Sequence, residues 1–382
     1  MKYKKLAEVY AKLEGTTKKL EKRDILADFF KKTDPEVLEI VATLVMGRIF
    51  PAWKEKEMGI AENLMIKTIS KTAGVPENQI EKEMKKEGDL GAAAENILKK
   101  KKQKTLSKRT LSIKNVYEKF ENIPDVSGSG SIDEKTSILA ELLSSASPEE
   151  GKYIVRTVLQ EMRVGVGEGI VRNAVAKAFD IDKDVVEHAY NVRNDFGEVA
   201  KIAKKKGEKG LKKLKLEIGR PIKPMLAQKA ENAEQAIEDM GGKAAFEIKY
   251  DGMRIQIHKK GDKIIVFTRR LDDVTKQFPD IVKYAEKGIK AEECIIEGEA
   301  VGMNPKTKNP LPFQKLSRRI KRKYDIEEIK KKIPIEVNLF DIMFLEGETL
   351  VDEPFKKRRK ELENIIDEIK GKFQLAESRV YS

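Results

Sequence analysis

Residues 246–254 read FEIKYDGMR, and the pattern of side chains in this stretch decides the fold of the C-terminal half. Before Gly252 the apolar side chains occupy even-numbered positions, and after it they occupy odd-numbered ones. Because successive side chains of a strand point to opposite faces, a bulge or tight turn is required at this glycine. We therefore expect Glu247, Lys249 and Asp251 to project from one face, opposite apolar side chains that anchor the strand.

Alternation of the same kind continues on both sides of this stretch. It predicts a β-hairpin whose turn includes Gly261, a residue that tolerates positive φ. The elements predicted by periodicity are strands over 245–258, 263–269, 294–301 and 335–344, and helices near 274–287 and 355–370. The C-terminal half is thus expected to be a mixed α and β domain with an antiparallel sheet.

The N-terminal half has a different periodicity, since apolar residues recur at helical spacing from residue 4 to about 203. Two helix starts are marked by a capping residue before proline, at Asp34 and at Ser147. The run 125–131 is flexible by composition, and the basic run 204–215 is interpreted as a connector. Proline spacing in 219–227 forbids a continuous helix. We predict two domains, 1–215 and 216–382.

Composition limits the classes of function. The formal net charge is +13 over 382 residues, which favours phosphate-bearing partners, although 37% charged residues also fit a thermophile's solvated surface. The single cysteine, Cys294, excludes an intramolecular disulfide and any cysteine-based zinc cluster within the chain, and two histidines argue against a multi-histidine metal site. No stretch is long and apolar enough to span a bilayer. We expect a soluble, cytoplasmic protein that has no membrane partner and is a monomer.

Lys249 is the candidate for covalent chemistry, although K-x-D-G alone is a weak pattern that also fits a solvated strand lysine. Its significance increases because three further motifs follow in order: TRRLDDVT at 268–275, IIEGEAV at 295–301 and VNLFDIMFLEG at 337–347. A phosphoramidate forms only from a neutral amine, a state favoured by desolvation or by nearby cations. Arg254 and Arg269 supply planar donors for phosphate oxygens.

Together these motifs resemble those of ATP-dependent DNA ligases of the archaeal type, which are covalent nucleotidyltransferases. The segments PMLA at 224–227 and LPFQKL at 311–316, followed by Arg318 and Arg319, are also similar to segments of that family. The resemblance extends over essentially the whole chain. It implies a multidomain α plus α+β protein, in which an all-helical DNA-binding domain precedes an incomplete nucleotidyltransferase domain, ATP-grasp-like with an antiparallel sheet.

The resemblance also implies roles for individual residues, with ATP and Mg²⁺ as cofactors. Lys249 would be adenylated, Glu247 would lie near the adenine edge, and Phe340 would stack on the base. Arg254 and Arg269 would bind ribose and phosphate, and Glu299 would bind a ribose hydroxyl or the metal. Without the family, the favoured interpretation of Phe340 is a core residue, whereas for Glu297 and Glu299 a solvent-facing strand surface is an equal alternative.

The helical half contains candidate contacts to DNA phosphates, where glycines let backbone N–H groups approach an anion. The segment 163–169 precedes a helix predicted to begin near Ile170, and SGSGS at 127–131 is a weaker candidate. A simple interhelical turn is the alternative for the first segment. The residues concerned are Arg163, Gly165, Gly167, Arg172 and Ser129, with Arg156 nearby.

The lysine-rich segment 99–106 lies where some relatives carry a sliding-clamp peptide. The aromatic pair of such a peptide is missing here, so a solvated loop is the favoured interpretation and the sliding clamp the alternative partner.

The sequence thus predicts the sealing of nicks in duplex DNA through a lysyl-AMP intermediate, in replication, repair and recombination. Downstream motifs and an OB domain expected from the family are not found after Phe344, so we expect the isolated chain to seal nicks poorly. A non-catalytic duplex-DNA-binding fragment and an RNA ligase or capping-type enzyme are the alternatives. Intact Lys249 argues against the first, and the large helical region argues against the second.

Overall fold

The computed structural model describes residues 1–51, 53–54, 56–100, 110–320, 322 and 324–382. The chain divides into two compact units, Met1–Leu214 and Lys215–Ser382, which are described separately. Within the described ranges, no helix combines the length and the apolar composition needed to cross a membrane.

The first unit is helical, as the spacing of apolar residues predicted, and its helices enclose one extended core. Both predicted helix starts are confirmed: the Asp34 carboxylate accepts from the Glu36 N–H, and Ser147 forms a capping box with Glu150. The helices are α1 (Tyr3–Glu14), α2 (Lys19–Lys32), α3 (Pro35–Leu44), α4 (Glu62–Ala73), α5 (Glu77–Glu87), α6 (Leu90–Lys99), α7 (Ile113–Asn122), α8 (Ser131–Ser145), α9 (Pro148–Val158), α10 (Glu168–Phe179), α11 (Lys183–Arg193) and α12 (Phe196–Leu211).

The basic run 204–215 is not the connector that the sequence predicted, because α12 continues through it to Leu211, with a backbone break at Gly207 (φ 60°, ψ −159°). Lys204 donates to carbonyls at the C-terminal end of α2, among them Lys31 O at 2.9 Å. An ammonium group is favoured there because unpaired carbonyls give a helix C-terminus a partial negative charge. Lys201 and Lys205 both pair with Glu36 on α3. Packing therefore holds part of this basic run in helical form.

The second unit is built on a six-stranded sheet in the order β3-β2-β4-β5-β6, with β7 parallel to β5 and the other pairs antiparallel. A separate two-stranded sheet pairs β1 with β8. The strands are β1 (Ala244–Glu247), β2 (Met253–Lys260), β3 (Lys263–Thr268), β4 (Glu293–Gly302), β5 (Ile335–Leu345), β6 (Glu348–Thr349), β7 (Phe373–Leu375) and β8 (Ser378–Tyr381). The helices are α13 (Ala233–Asp239), α14 (Pro279–Gly288), α15 (Phe313–Ile320), α16 (Ile326–Lys332) and α17 (Phe355–Ile365).

The register of the large sheet separates an apolar face from a polar one. Cross-strand neighbours point to the same face, and Arg254 lies opposite Glu299, Gln256 opposite Glu297, and Glu297 opposite Asp341. The other face is apolar and packs against α14, α15 and α17. Its buried residues include Ile255, Ile257, Ile296, Leu339 and Ile342, with Phe278 just before α14 and Ile281, Leu316 and Leu362 from the helices. The helices thus cover one face, and polar side chains gather on the other.

The predicted strand over 245–258 is broken rather than bulged. β1 ends at Glu247 and β2 begins at Met253, and the two belong to different sheets. Phe246 and Ile248, expected as buried anchors, are 36% and 50% exposed. The reason is that β1 pairs with β8, a strand that the periodicity did not predict, so these side chains do not face the main core.

The two predicted helices of this unit are shorter than expected. The first begins at Pro279 instead of 274, since proline takes the first helical position. The second ends at Ile365 instead of 370, because Ile366 is extended and forms a bridge with Ile289. The hairpin turn at Gly261 is confirmed, with φ of 56° at that residue.

Candidate functional site

The polar face of the large sheet carries what we call the acidic row: Glu297, Glu299 and Asp341, with Arg254 and Gln256 beside them. Glu297 is only 3% exposed. Its carboxylate accepts from the Arg254 guanidinium and from Gln256 Nε2 at 2.9 Å. Burial raises the pKa of Glu297, and the Arg254 charge opposes that rise. The neighbouring cation and amide thus offset the cost of burying this carboxylate.

Phe340 lies at a β-bulge beside the acidic row. Glu297 pairs with Asp341 and Gly298 with Leu339, which leaves Phe340 without a partner in the register. Its side chain is half-buried, so it is not the core residue that an apolar strand alone would suggest. The Arg254 guanidinium lies 5.4 Å from the centre of the Phe340 ring. An aromatic ring and a guanidinium therefore share this part of the polar face.

Glu299 is the half-buried carboxylate of the row that faces Lys249. Burial raises the pKa of Glu299, whereas the charges of Lys249 and Arg254 and the N–H of Gly252 lower it. Among the described residues, no cation lies within ion-pairing distance of Glu299. The Lys249 side chain is exposed, so of the two expected means of favouring its neutral amine, desolvation is not seen and nearby cations stay a prediction. Its charge nevertheless stabilises the Glu299 carboxylate.

Gly252 is required by close approach to β4. A Cβ atom built on Gly252 would lie 2.4 Å from the Ala300 carbonyl oxygen and 3.1 Å from the Glu299 side chain. Backbone atoms of a paired strand cannot move away as the end of a flexible side chain can. The absence of a side chain at this position therefore keeps the Lys249 segment against the Glu299 strand.

We expect Gly252→Ala to slow the formation of a covalent nucleotide adduct at Lys249 by about 100-fold, since an ångström of displacement in a reacting group has about that effect. Adduct formation from labelled ATP measures this rate. Gly261→Ala, in the hairpin turn at the opposite end of β2 from Gly252, is the control. Equal rates for the Gly252 variant and the wild type would contradict the packing argument.

Two arginines that sequence reasoning missed hold carboxylates of this unit. Arg358 donates to both oxygens of Asp341, at 2.8 and 3.0 Å. Arg359 Nη1 lies 3.5 Å from Glu247 Oε1. Burial raises the pKa of Glu247, and Arg359 opposes that rise. The surrounding sequence, KKRRKE, is typical of a solvent-exposed helix. The one feature of the sequence that could have indicated a role for these arginines is their position on a predicted helix that follows β5.

Arg269 is not brought into contact with the acidic row. It is exposed in the turn after β3, where Thr268 N–H bonds to Asp272 O at 3.0 Å and Leu271 has a φ of 74°. None of the described carboxylates forms an ion pair with Arg269. Its predicted role in nucleotide binding stays a prediction.

The candidate DNA contacts of the first unit differ in their exposure and in the bonds that they already form within the protein. Arg163 is half-exposed, although it donates to Gly88 O at 2.8 Å and to Glu161 at 2.9 Å. Arg172 pairs with Glu187 at 2.8 Å. Arg156, suggested by its position in the sequence, is instead buried and bonds Asp89 and Glu14, so it belongs to the interior. Ser129 is exposed in a turn that precedes α8.

The loop before α10 is held by a lysine that the sequence did not single out. Lys22 of α2 is buried and donates to the carbonyl oxygens of Val164 and Gly165. Gly165 has a φ of 62°, and Gly167 is the residue before the first turn of α10. In a trans peptide the N–H points opposite to the C=O. Lys22 therefore fixes peptide groups whose N–H bonds point away from α2.

Comparison with known proteins gives consistent results for both units. Residues 2–176 match the family model "DNA ligase N terminus", and residues 224–382 match "ATP dependent DNA ligase domain". A DNA ligase of Thermococcus onnurineus is 49% identical over 96% of this chain and 65% of its own length. A DNA ligase of Methanopyrus kandleri is 44% identical over 99% of this chain and 68% of its own length. The chain belongs to the ATP-dependent DNA ligase family.

This ligase family member spans about two thirds of the length of the curated relatives it matches. A DNA ligase of Nanoarchaeum equitans is 47% identical over 98% of the chain and 66% of its own length. The solved structure named "Pmar-Lig_PreS3" has a TM-score of 0.44 and 15% identity over 98% of this chain and 66% of its own, a level too low to inform the fold. Family membership confirms the resemblance drawn from the motifs. The ligase domain match includes Lys249 and the whole acidic row.

Proposed function

We propose that this chain carries the nucleotide-transfer chemistry of a DNA ligase, with Lys249 as the residue that takes up AMP. One observation carries the proposal: at Gly252 the Lys249 segment packs against the Glu299 strand, whose polar face also holds Arg254 and Phe340. That arrangement combines a nucleophile, an anion-binding guanidinium and a half-buried aromatic ring. In a member of the ATP-dependent DNA ligase family, a nucleotide is the ligand that needs all three.

The reaction has three steps. The Lys249 amine attacks the α-phosphorus of ATP, a P–N bond forms, and pyrophosphate leaves as the amine loses a proton. An oxygen of the 5′-phosphate at a nick then attacks the AMP phosphorus, so a P–O bond forms, the P–N bond breaks and the Lys249 amine leaves with a proton. The 3′-hydroxyl attacks that activated phosphate, and AMP leaves as the phosphodiester forms. A guanidinium held close to the α-phosphate would stabilise the charge that develops in each transfer.

In this proposal Phe340 stacks on the base and Glu247 lies at the adenine edge. Arg254 and Arg269 contact ribose and phosphate. Arg254 is held by Glu297 and lies over the Phe340 ring. Before a nucleotide binds, its guanidinium is therefore already beside the proposed base site. Arg269 is exposed in its turn and would reach the nucleotide only by reorienting its long side chain.

Magnesium fits the residues present. Glu299 offers carboxylate oxygens free of any ion pair with the described residues, and Mg²⁺ is usually held by one or two carboxylates together with substrate phosphates and water. Within the described part of the chain, no group of three or more histidine, cysteine or acidic side chains is arranged to hold a metal ion. When bound, the ion would neutralise phosphate charge.

Duplex DNA is the proposed partner, through phosphate contacts in the first unit. Half-exposed Arg163 and the exposed backbone at Gly165 and Gly167 are the best placed, with Arg172 and Ser129 as further contacts. We propose a monomeric cytoplasmic enzyme of replication, repair and recombination. The sliding-clamp hypothesis for 99–106 falls almost entirely outside the described residues and stays a prediction.

The proposal is tested with ATP labelled at the α-phosphate and magnesium. We expect the label to stay on the chain after denaturation, because the bond is covalent. Addition of nicked duplex DNA should then remove the label when the nick has a 5′-phosphate, but not when it has a 5′-hydroxyl. Absence of retained label contradicts the proposal, and transfer only to nicked RNA would favour the RNA ligase alternative.

A further inference from the structure

The Arg359 side chain joins three segments of the second unit. It lies on α17, and its side chain is 14% exposed. Its Nε donates to Glu363 at 2.8 Å, its Nη2 donates to Ala376 O at 2.9 Å, and its Nη1 lies 3.5 Å from Glu247 Oε1. The Nη1 atom is buried and forms no hydrogen bond with the described residues. The guanidinium is thus fixed on two sides, and its third side faces Glu247.

The contact with Ala376 connects this guanidinium to the strand that carries Phe340. The N–H of Ala376 donates to the carbonyl of Leu339 at 2.7 Å, and Leu339 immediately precedes Phe340. Glu247 is therefore linked to the backbone beside Phe340 through Arg359 and Ala376. This linkage sets the distance between a carboxylate and an aromatic ring that belong to different sheets.

The preceding residue, Arg358, makes the matching contact on the other side of Phe340. It binds both oxygens of Asp341, which follows Phe340 in the chain. Two consecutive arginines of α17 therefore hold Asp341, next to Phe340 in the chain, and Glu247 of β1. Guanidinium groups suit this task because their planar donors impose direction as well as charge.

We propose that Arg359 is a positioning residue for nucleobase selection, acting by holding Glu247 towards the edge of a purine that lies against Phe340. This inference rests on the proposed function. Adenine presents an amino group at C6, which a carboxylate accepts, whereas guanine presents a carbonyl oxygen there, which a carboxylate repels. Without its cation, the partly exposed Glu247 carboxyl group is more readily protonated, and a protonated carboxyl can donate to the guanine oxygen. Arg359 therefore favours adenine over guanine.

The test uses the full chain with Arg359→Met, Arg359→Lys, Glu247→Gln and the double variant Glu247→Gln/Arg359→Met. Lys360→Met, an exposed neighbour on the same helix, is the matched control. Rates of lysyl-AMP formation are measured against ATP and GTP concentration, and equilibrium binding of each nucleotide is measured by calorimetry. Thermal melting shows whether each variant folds. If Arg359→Met does not fold, Arg359→Lys is compared with the wild type instead.

For Arg359→Met we expect the KM for ATP to rise about tenfold with kcat nearly unchanged, and the preference for ATP over GTP to fall by a similar factor. Arg359→Lys should recover part of the loss. The double variant should bind ATP no more weakly than Glu247→Gln, because Arg359 acts through that carboxylate. Additive losses, or a lower kcat with unchanged selectivity, would overturn the inference. Failure of the wild type to form lysyl-AMP would reject the proposed function instead, and the calorimetry would still test Arg359.

Discussion

Replacement of Lys249 by alanine is expected to reduce covalent labelling by ATP to below about one thousandth of the wild-type rate. The reason is chemical: the AMP-enzyme bond is a phosphoramidate, and alanine offers no nitrogen to form it. Lys249→Arg should be equally inactive, since a guanidinium keeps the positive charge near Glu299 but is not deprotonated in proteins. The pair of variants separates a nucleophilic lysine from one that only neutralises a carboxylate.

The measurement is retention of α-phosphate label after denaturation, at saturating ATP. Lys243→Ala is the control, because Lys243 is also exposed and lies six residues before the nucleophile. ATP binding by calorimetry should survive in Lys249→Ala, since Arg254 and Phe340 are unchanged. Label retained by Lys249→Ala at the wild-type rate would show that another residue is modified.

The elements that the sequence predicted well are those determined by local pattern. β2, β3, β4 and β5 have the composition and length of strands, and the hairpin turn at Gly261 has its own signal, so their existence and order follow from short-range rules. The caps at Asp34 and Ser147 are local for the same reason. Family membership rests on motifs of this kind, each within one strand or turn.

The elements that the sequence missed depend on partners far along the chain. β1 pairs with β8 more than 130 residues later, and nothing near Phe246 indicates that strand. In the sequence, Lys204 is simply one residue of a basic run. Only the folded chain shows that its ammonium group donates to carbonyls at the C-terminal end of α2. Local reasoning assigns the secondary structure, whereas tertiary contacts decide which charges are used in packing.

In the candidate site, too, some residues are indicated by local motifs and others only by contacts with distant parts of the chain. Lys249 and Glu299 were identified by motif, and the structure brings them to one edge of the polar face. The pairing of Arg254 with Glu297, and of Arg359 with Glu247, requires the register of β2 on β4 and the packing of α17. The motifs therefore supply the candidate nucleotide contacts, whereas the side chains that hold these candidates in place are visible only in the tertiary structure.

The second large effect that we expect is a loss of stability when Arg319 of α15 is replaced. This guanidinium is fully buried and donates to both oxygens of Asp280, to Ile333 O at 3.1 Å and to Gln277 O at 3.2 Å. Arg319→Met should lower the free energy of unfolding by about 3–5 kcal/mol, because it leaves Asp280 buried without its cation. Chemical denaturation followed by circular dichroism measures the change.

The control for Arg319→Met is Arg318→Met, the same substitution at the exposed neighbour on α15, which should change stability by less than about 0.5 kcal/mol.

A double variant identifies the cause of the lost stability. If the cost arises from the unpaired Asp280 carboxylate and not from lost packing over Phe278, the double variant Arg319→Met/Asp280→Leu should recover much of the lost stability. No recovery would mean that Arg319 stabilises the unit through its contacts with the ring and the backbone carbonyls. In either case α15, which packs on the apolar face, supports from behind the same sheet that displays the acidic row.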